Sequence, residues 1–170
     1  MHEINSQKHN EMALFLKWKF VSDHVMGGLS TGQIDETFIK GQEAIRLYGT
    51  VSLDNNGGFI QMAADFMRTF HSLNRYHWNG IAINVIGNEE EYDIRLRTTN
   101  LSSPWQSFRT NFVAKPQWRR IYIPFNTLKA HRTTHSFDFK KIHRIGILAV
   151  GREFAADIAV SSLSLYRCAA

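Results

Sequence analysis

Among the residues whose types suit chemistry, arginine dominates, and its planar guanidinium fork is suited to carboxylates and phosphates. In Glu91-Tyr92-Asp93-Ile94-Arg95-Leu96-Arg97 the charged Asp93, Arg95 and Arg97 fall at every second position. Arg109 and Asn111 repeat that spacing between Gln106 and Val113. Arg46 and Tyr48 repeat it between Ile45 and Leu53, and Asn84 takes the polar place between Ile81 and Val85. Strands send alternate side chains to opposite faces. If these segments share one sheet, Arg46, Tyr48, Asn84, Asp93, Arg95, Arg97, Arg109 and Asn111 project from one surface. Trp105, in a Ser-Ser-Pro-Trp loop, would stand at its rim. Such a face would hold a ligand, with arginine supplying charge and Tyr48 and Trp105 supplying flat apolar rings for stacking. The same residues serve equally well as a solvated face with cross-strand Asp–Arg pairs, each worth less than about 1 kcal/mol. The alternation alone leaves both readings open.

Catalytic constellations are hard to assemble. Only His131 and His135 of the eight histidines are four apart, and with no helix expected there the spacing does not put two imidazoles on one face. They are expected in an exposed loop, with no metal site. No Gly-x-Ser-x-Gly elbow occurs, and no obvious carboxylate pair suggests glycosidase chemistry, so neither a serine hydrolase nor a glycosidase is indicated. The expectation is a binding protein without enzymatic activity or cofactor. The segment from Trp18 to Gly32 is the most unusual, with Asp23, Met26, the pair Gly27-Gly28, and Ser30. It lacks the spacing and the Lys-Ser/Thr ending of a phosphate loop. Paired glycines permit positive φ or close backbone approach, and exposed amides in such a turn can hold an anion. Alternatively Asp23 accepts hydrogen bonds from the loop amides and fixes its shape, a structural role.

The elements that must position these residues show a period of two. Alternation predicts strands over 45–53, 81–85, 91–97 and 121–125, with further strands over 58–66, 106–113, 143–150 and 157–167 and a short edge strand over 34–39. In the last long strand, Ile158 and Val160 are even-numbered but Leu163 and Leu165 odd-numbered, so a bulge at Ser161-Ser162 is expected. Turn residues at 55–58, 79–80, 87–88 and 102–104 separate the strands. Met12 to Phe20 is expected to make one or two helical turns, and Thr69 to Tyr76 to be irregular. Trp18, Trp78 and Trp118 are expected in the core or at hinges. Many short strands with little helix predict an all-β sandwich or jelly roll, as one domain over residues 1–170.

Composition is that of an ordinary globular protein, 44% apolar and 21% charged. The net charge of +5 is unevenly spread: residues 1–90 hold 7 Lys/Arg against 10 Asp/Glu, and residues 91–170 hold 13 against 5. A basic half attracts nucleic acid, anionic lipid heads or an acidic protein surface, or is simply solvated. The single cysteine, Cys168, cannot form an intrachain disulfide, which fits a reducing compartment. No secretory signal, transit peptide or membrane-spanning run is visible. A bacterial cytoplasmic location is the expectation, with peripheral membrane association left open.

Several of these segments are recognisable together. Trp18, Asp23 and Val25-Met26-Gly27-Gly28 with Ser30 resemble the opening signature of the complex I intermediate-associated protein 30 family. Gly49 to Leu53 followed by Gly57, Gly58 and Phe59 is similar to its paired-glycine hairpin. Trp78 to Ile81, Gly87 and Tyr92 to Arg97 resemble its central strands, and Trp118, Ile123-Pro124-Phe125 and Ile145-Gly146-Ile147 its closing elements. The resemblance covers about residues 15–167. It implies a galactose-binding-like jelly roll, similar to some carbohydrate-binding modules, and the role of an assembly factor or chaperone with a protein partner, respiratory complex subunits included. A carbohydrate-binding module is the alternative. An RNA-associated domain is the third reading, since related plastid domains are linked to RNA handling.

Overall fold

The computed structural model describes residues 9–66 and 76–168. Twelve strands run β1 His9–Leu14, β2 Lys19–Ser22, β3 Thr31–Ile39, β4 Gln42–Val51, β5 Phe59–Asp65 and β6 Gly80–Gly87. They continue as β7 Glu91–Thr98, β8 Ser107–Val113, β9 Arg119–Pro124, β10 Lys129–His131, β11 Ile142–Val150 and β12 Phe154–Cys168. One sheet has the order β3-β4-β12-β6-β9, with β1 also paired to β12; the other has the order β10-β8-β7-β11-β5-β2. Every pairing is antiparallel.

The strict alternation of β7 puts one of its faces against the core between the two sheets and the other outward. Tyr92, Ile94 and Leu96 are wholly buried, while Asp93, Arg95 and Arg97 face outward. Leu47, Ile60, Met62, Ile81, Ile83, Ile145, Ile147 and Ile158 meet them from the other strands to make one core. Burying each such side chain contributes roughly 1.5–3 kcal/mol. Tyr92 also ties the two sheets together, since its hydroxyl accepts from the Asp157 amide at 2.8 Å and donates to Asn88 Oδ1 at 2.6 Å.

The phase change in the last strand is a bulge. Val160 pairs with Val85 and Ser162 with Asn84, so Ser161 is the extra residue, and Ile158, Val160, Leu163 and Leu165 all stay in the core. β12 pairs with β4 through its first half and β1 through its last six residues, with β6 along its other edge.

Three expectations are corrected. Met12 to Phe20 is not helical: β1 and β2 occupy its two ends, and Phe15 between them is almost fully exposed. The apolar residues there serve two different sheets, which breaks any helical face. The Asn55–Gly58 turn is not a hairpin, because β4 and β5 belong to different sheets and the turn carries the chain across the sandwich. His131 is on strand β10 rather than in a loop. The stretch Thr69 to Tyr76 lies outside the described residues, Tyr76 excepted. Trp78 is a core residue and Trp18 packs on the core edge. Trp118 instead joins a small outer cluster with Ala44, Ile86 and Ala159, its indole N–H donating to Ile39 O at 2.9 Å. Among the described residues no helix is long and apolar enough to cross a membrane.

Candidate functional site

The signature residues of two distant segments meet at one carboxylate. Ser22 caps a short 3₁₀ turn over Asp23–Met26, and Gly27, at φ 85°, ends it. Asp23 is fully buried. Its Oδ1 accepts from the Ser30 amide at 3.0 Å; its Oδ2 accepts from the Ser30 hydroxyl at 2.5 Å, the Gly58 amide at 2.6 Å and the Phe59 amide at 3.3 Å. Burial by itself raises the Asp23 pKa, but the Ser30 hydroxyl and the three amides outweigh it and hold the carboxyl below its usual value. The glycines make room. A Cβ on Gly28 would lie 2.3 Å from Asp23 Cγ, and one on Gly57 would lie 2.5 Å from Asp23 Oδ2. The loop does hold an anion, and the anion is its own Asp23. Val25, Met26 and Leu29 around this hub are exposed to solvent.

The outward residues do not share one surface. Arg46, Tyr48 and Asn84 stand on β4 and β6 of the first sheet, whereas Asp93, Arg95, Arg97, Arg109 and Asn111 stand on β7 and β8 of the second. Trp105, 60% exposed, sits in the β7–β8 connection beside this second group. Alternation within a strand fixes inside and outside but carries no information about which sheet the strand joins.

The two faces differ in charge balance. On the first sheet the cations are matched: Arg46 forms a bidentate pair with Asp157, both bonds 2.8 Å, and lies over the Tyr48 ring. The Tyr48 hydroxyl donates to Asp35 at 2.6 Å, and Arg120 joins Asn84 to Glu11. This is the solvated face of cross-strand pairs.

The second sheet departs from that pattern. Arg95 pairs directly with Arg109, and Arg109 on its other side with Lys129, so three cations lie in one row across three strands. In the next row Arg97 pairs with Arg144. Like charges placed directly opposite destabilise a sheet. The acidic partners are few: Asp93 binds Arg95 at 2.9 Å and reaches Arg109 at 4.0 Å, and Asp65 binds Arg144 at 3.2 Å. No acidic side chain among the described residues lies within 4.0 Å of Arg97; its Nη2 donates to the Ser103 carbonyl at 3.1 Å. Burial first, and then the charge of Arg144, pushes its pKa down. His131 and His143 are likewise lowered, His131 by burial and then Arg109, Arg95 and Arg132, and His143 by burial and then Arg97. The strands that supply these cations, β7, β8, β10 and β11, all come from the basic half of the sequence.

Sequence reasoning missed Arg144, Lys129 and His131 as members of this face. The signal for Arg144 was present, but a register shift between Ile142 and Arg144 puts an extra residue, His143, into β11 and hides its phase. β10 is only three residues long, too short for a periodic pattern.

Two antiparallel sheets packed face to face make a jelly roll of the galactose-binding-like class. The chain is similar in fold to the family 11 carbohydrate-binding module of Clostridium thermocellum, solved with a beta-1,3-1,4-mixed-linked tetrasaccharide, at 14% identity and a TM-score of 0.73, covering 91% of this chain and 94% of that one. It is also similar to the family 30 carbohydrate-binding module of a C. thermocellum cellulosomal cellulase, at 15% identity and a TM-score of 0.63, covering 92% and 96%. No match is found among curated proteins. Residues 5–160 match the model of one family, and the chain belongs to it: Complex I intermediate-associated protein 30.

Proposed function

We propose that this domain is a non-catalytic docking module of the assembly-factor type, and that it captures an acidic segment of a protein partner on the outer face of the β10-β8-β7-β11-β5-β2 sheet. The observation that carries this reading is the row Lys129–Arg109–Arg95, with Asp93 as its one carboxylate among the described residues, beside the Arg97–Arg144 pair, where Asp65 meets only Arg144. A fold that needed only a soluble surface has the first sheet's solution available, with Arg46 matched to Asp157 and Arg120 to Glu11. Cationic surfaces speed and orient the encounter with acidic partners. The outward residues of β7 and β8, and Arg144, Gly146 and Leu148 of β11, include no aromatic ring, so the face is suited to charge rather than to stacking bases or sugars. Respiratory complex subunits are the partner class that the family description suggests.

Cross-linking purification from cells at native expression tests this. Wild type should enrich a partner with an acidic surface segment, and Arg95→Glu with Arg109→Glu should lose it. Equal recovery by both would refute the assignment.

A second reading, a carbohydrate-binding module, is favoured by the exposed Trp105 and the shared fold. It requires saturable binding of a neutral oligosaccharide that Trp105→Ala abolishes; no response to such sugars removes it.

A further inference from the structure

Two buried polar atoms on this face stand out among the described residues. Arg97 Nε and Ser107 Oγ are both closed to solvent and have no hydrogen-bond partner among the described residues. They are neighbours by register. Leu96 pairs with Phe108 and both point inward, so one step further along the ladder Arg97 and Ser107 lie side by side and point outward. Ser107 is 3% exposed, and its partner on the far side is His131. Buried polar groups are nearly always paired, so two adjacent orphans call for an explanation.

Both atoms can donate, one from a cation, and the surroundings repel a further cation: Arg144 pairs with Arg97 directly, and Arg95 and Arg109 occupy the next row. Resting on the docking role proposed above, we propose that Arg97 Nε–H and Ser107 Oγ–H form the seat for one carboxylate of the acidic partner segment. One N–H and one O–H from neighbouring residues suit the two oxygens of a planar carboxylate; a phosphate offers more acceptor oxygens than the two donors can meet. The neighbouring turn controls entry. Ser103 O already holds Arg97 Nη2, and the turn is fastened through Gln106, whose Oε1 accepts from the Ser102 and Ser103 amides and whose Nε2 donates to Arg132 O. An arriving carboxylate shifts this turn, with Pro104 and the exposed Trp105 at its tip, and opens the two closed atoms.

The test is an NMR titration of the full chain with a hexaglutamate peptide, observing the Arg97 Nε–H and the Ser107 amide; inorganic phosphate and an oligogalacturonate are parallel probes. Hexaglutamate should move both resonances saturably, and Ser107→Ala should weaken it about tenfold or more, as for loss of one hydrogen bond to a charged group. Ser107→Ala removes no hydrogen bond present in the free chain, so its folding is not at risk, and Arg97→Lys, which keeps the charge but lacks Nε, should lose the same increment. A silent Arg97 Nε–H at saturating peptide, or unchanged affinity in Ser107→Ala, overturns the seat. So does a response confined to phosphate or to the acidic sugar. The docking face is judged separately: if hexaglutamate is lost in Arg95→Glu with Arg109→Glu while Arg97 Nε–H stays silent in wild type, the face stands and the seat falls.

Discussion

The Asp23 carboxylate accepts a 2.6 Å hydrogen bond from the amide of Gly58, 35 residues further along the chain. This bond joins the first 3₁₀ turn, next to β2, to the crossing by which the chain passes from one sheet to the other. Asp23→Asn should therefore lower stability by about 2–4 kcal/mol, because an amide group presents a donor where the site offers only donors. Urea denaturation measures it. A loss under about 0.5 kcal/mol, the range of an ordinary surface change, would show that the hub is not structural.

Gly28→Ala tests the same hub from the other side. Its Cβ would lie 2.3 Å from Asp23 Cγ, so the carboxylate must leave its four donors or the backbone must shift. The expected cost is about 1–3 kcal/mol, the range of overpacking, by thermal or urea unfolding. Gly41→Ala, in the β3–β4 turn at φ 85° with nothing near its Cβ, isolates the smaller cost of positive φ alone.

Acidification should weaken the fold in two stages. Burial and the nearby arginines lower His131 and His143, so below the ordinary histidine value of about 6.5 the unfolded chain binds more protons than the folded one. Their contribution is complete above that pH and is lost as pH falls through their depressed folded values. Asp23 has the same sign in a lower window: its contribution is complete above about pH 4 and is lost as pH falls through its depressed folded value. Urea titrations at stepped pH should show both declines. His131→Gln with His143→Gln should remove only the upper one, and stability that rises on acidification from neutral would contradict the account.

The strands were legible where one strand has one buried face. β7 announces itself because Tyr92, Ile94 and Leu96 alternate with charges, and the β12 bulge because the phase slips between Val160 and Leu163. What sequence could not supply was partnership between distant segments. Nothing in the spacing of Arg46 and Arg95 says that they stand on opposite sides of the sandwich. Nor does it say that Arg95 meets Arg109, or Arg97 meets Arg144. The Asp23 hub was half legible: Asp and paired glycines announce an ordered turn, but the second donor segment, Gly58 and Phe59, is supplied by tertiary structure.

Removing a cation from the docking face should separate stability from function. Arg109→Ala deletes a charge placed directly opposite Arg95 and next to Lys129, and leaves Asp93 its 2.9 Å bond to Arg95. Stability should stay unchanged or rise by a few tenths of a kcal/mol, while capture of the partner weakens. A fall in stability of more than about 1 kcal/mol would mean that Arg109 belongs to the scaffold instead.

The most direct measurement compares the two faces. Cells producing wild type, Arg95→Glu with Arg109→Glu, or Arg46→Ala with Tyr48→Ala are cross-linked, and what each protein carries down is quantified. The predicted result is a partner retained by wild type and by the Arg46/Tyr48 pair but lost from the Arg95/Arg109 pair. Loss of the partner from the Arg46/Tyr48 variant alone would place the working surface on the opposite sheet and contradict the account.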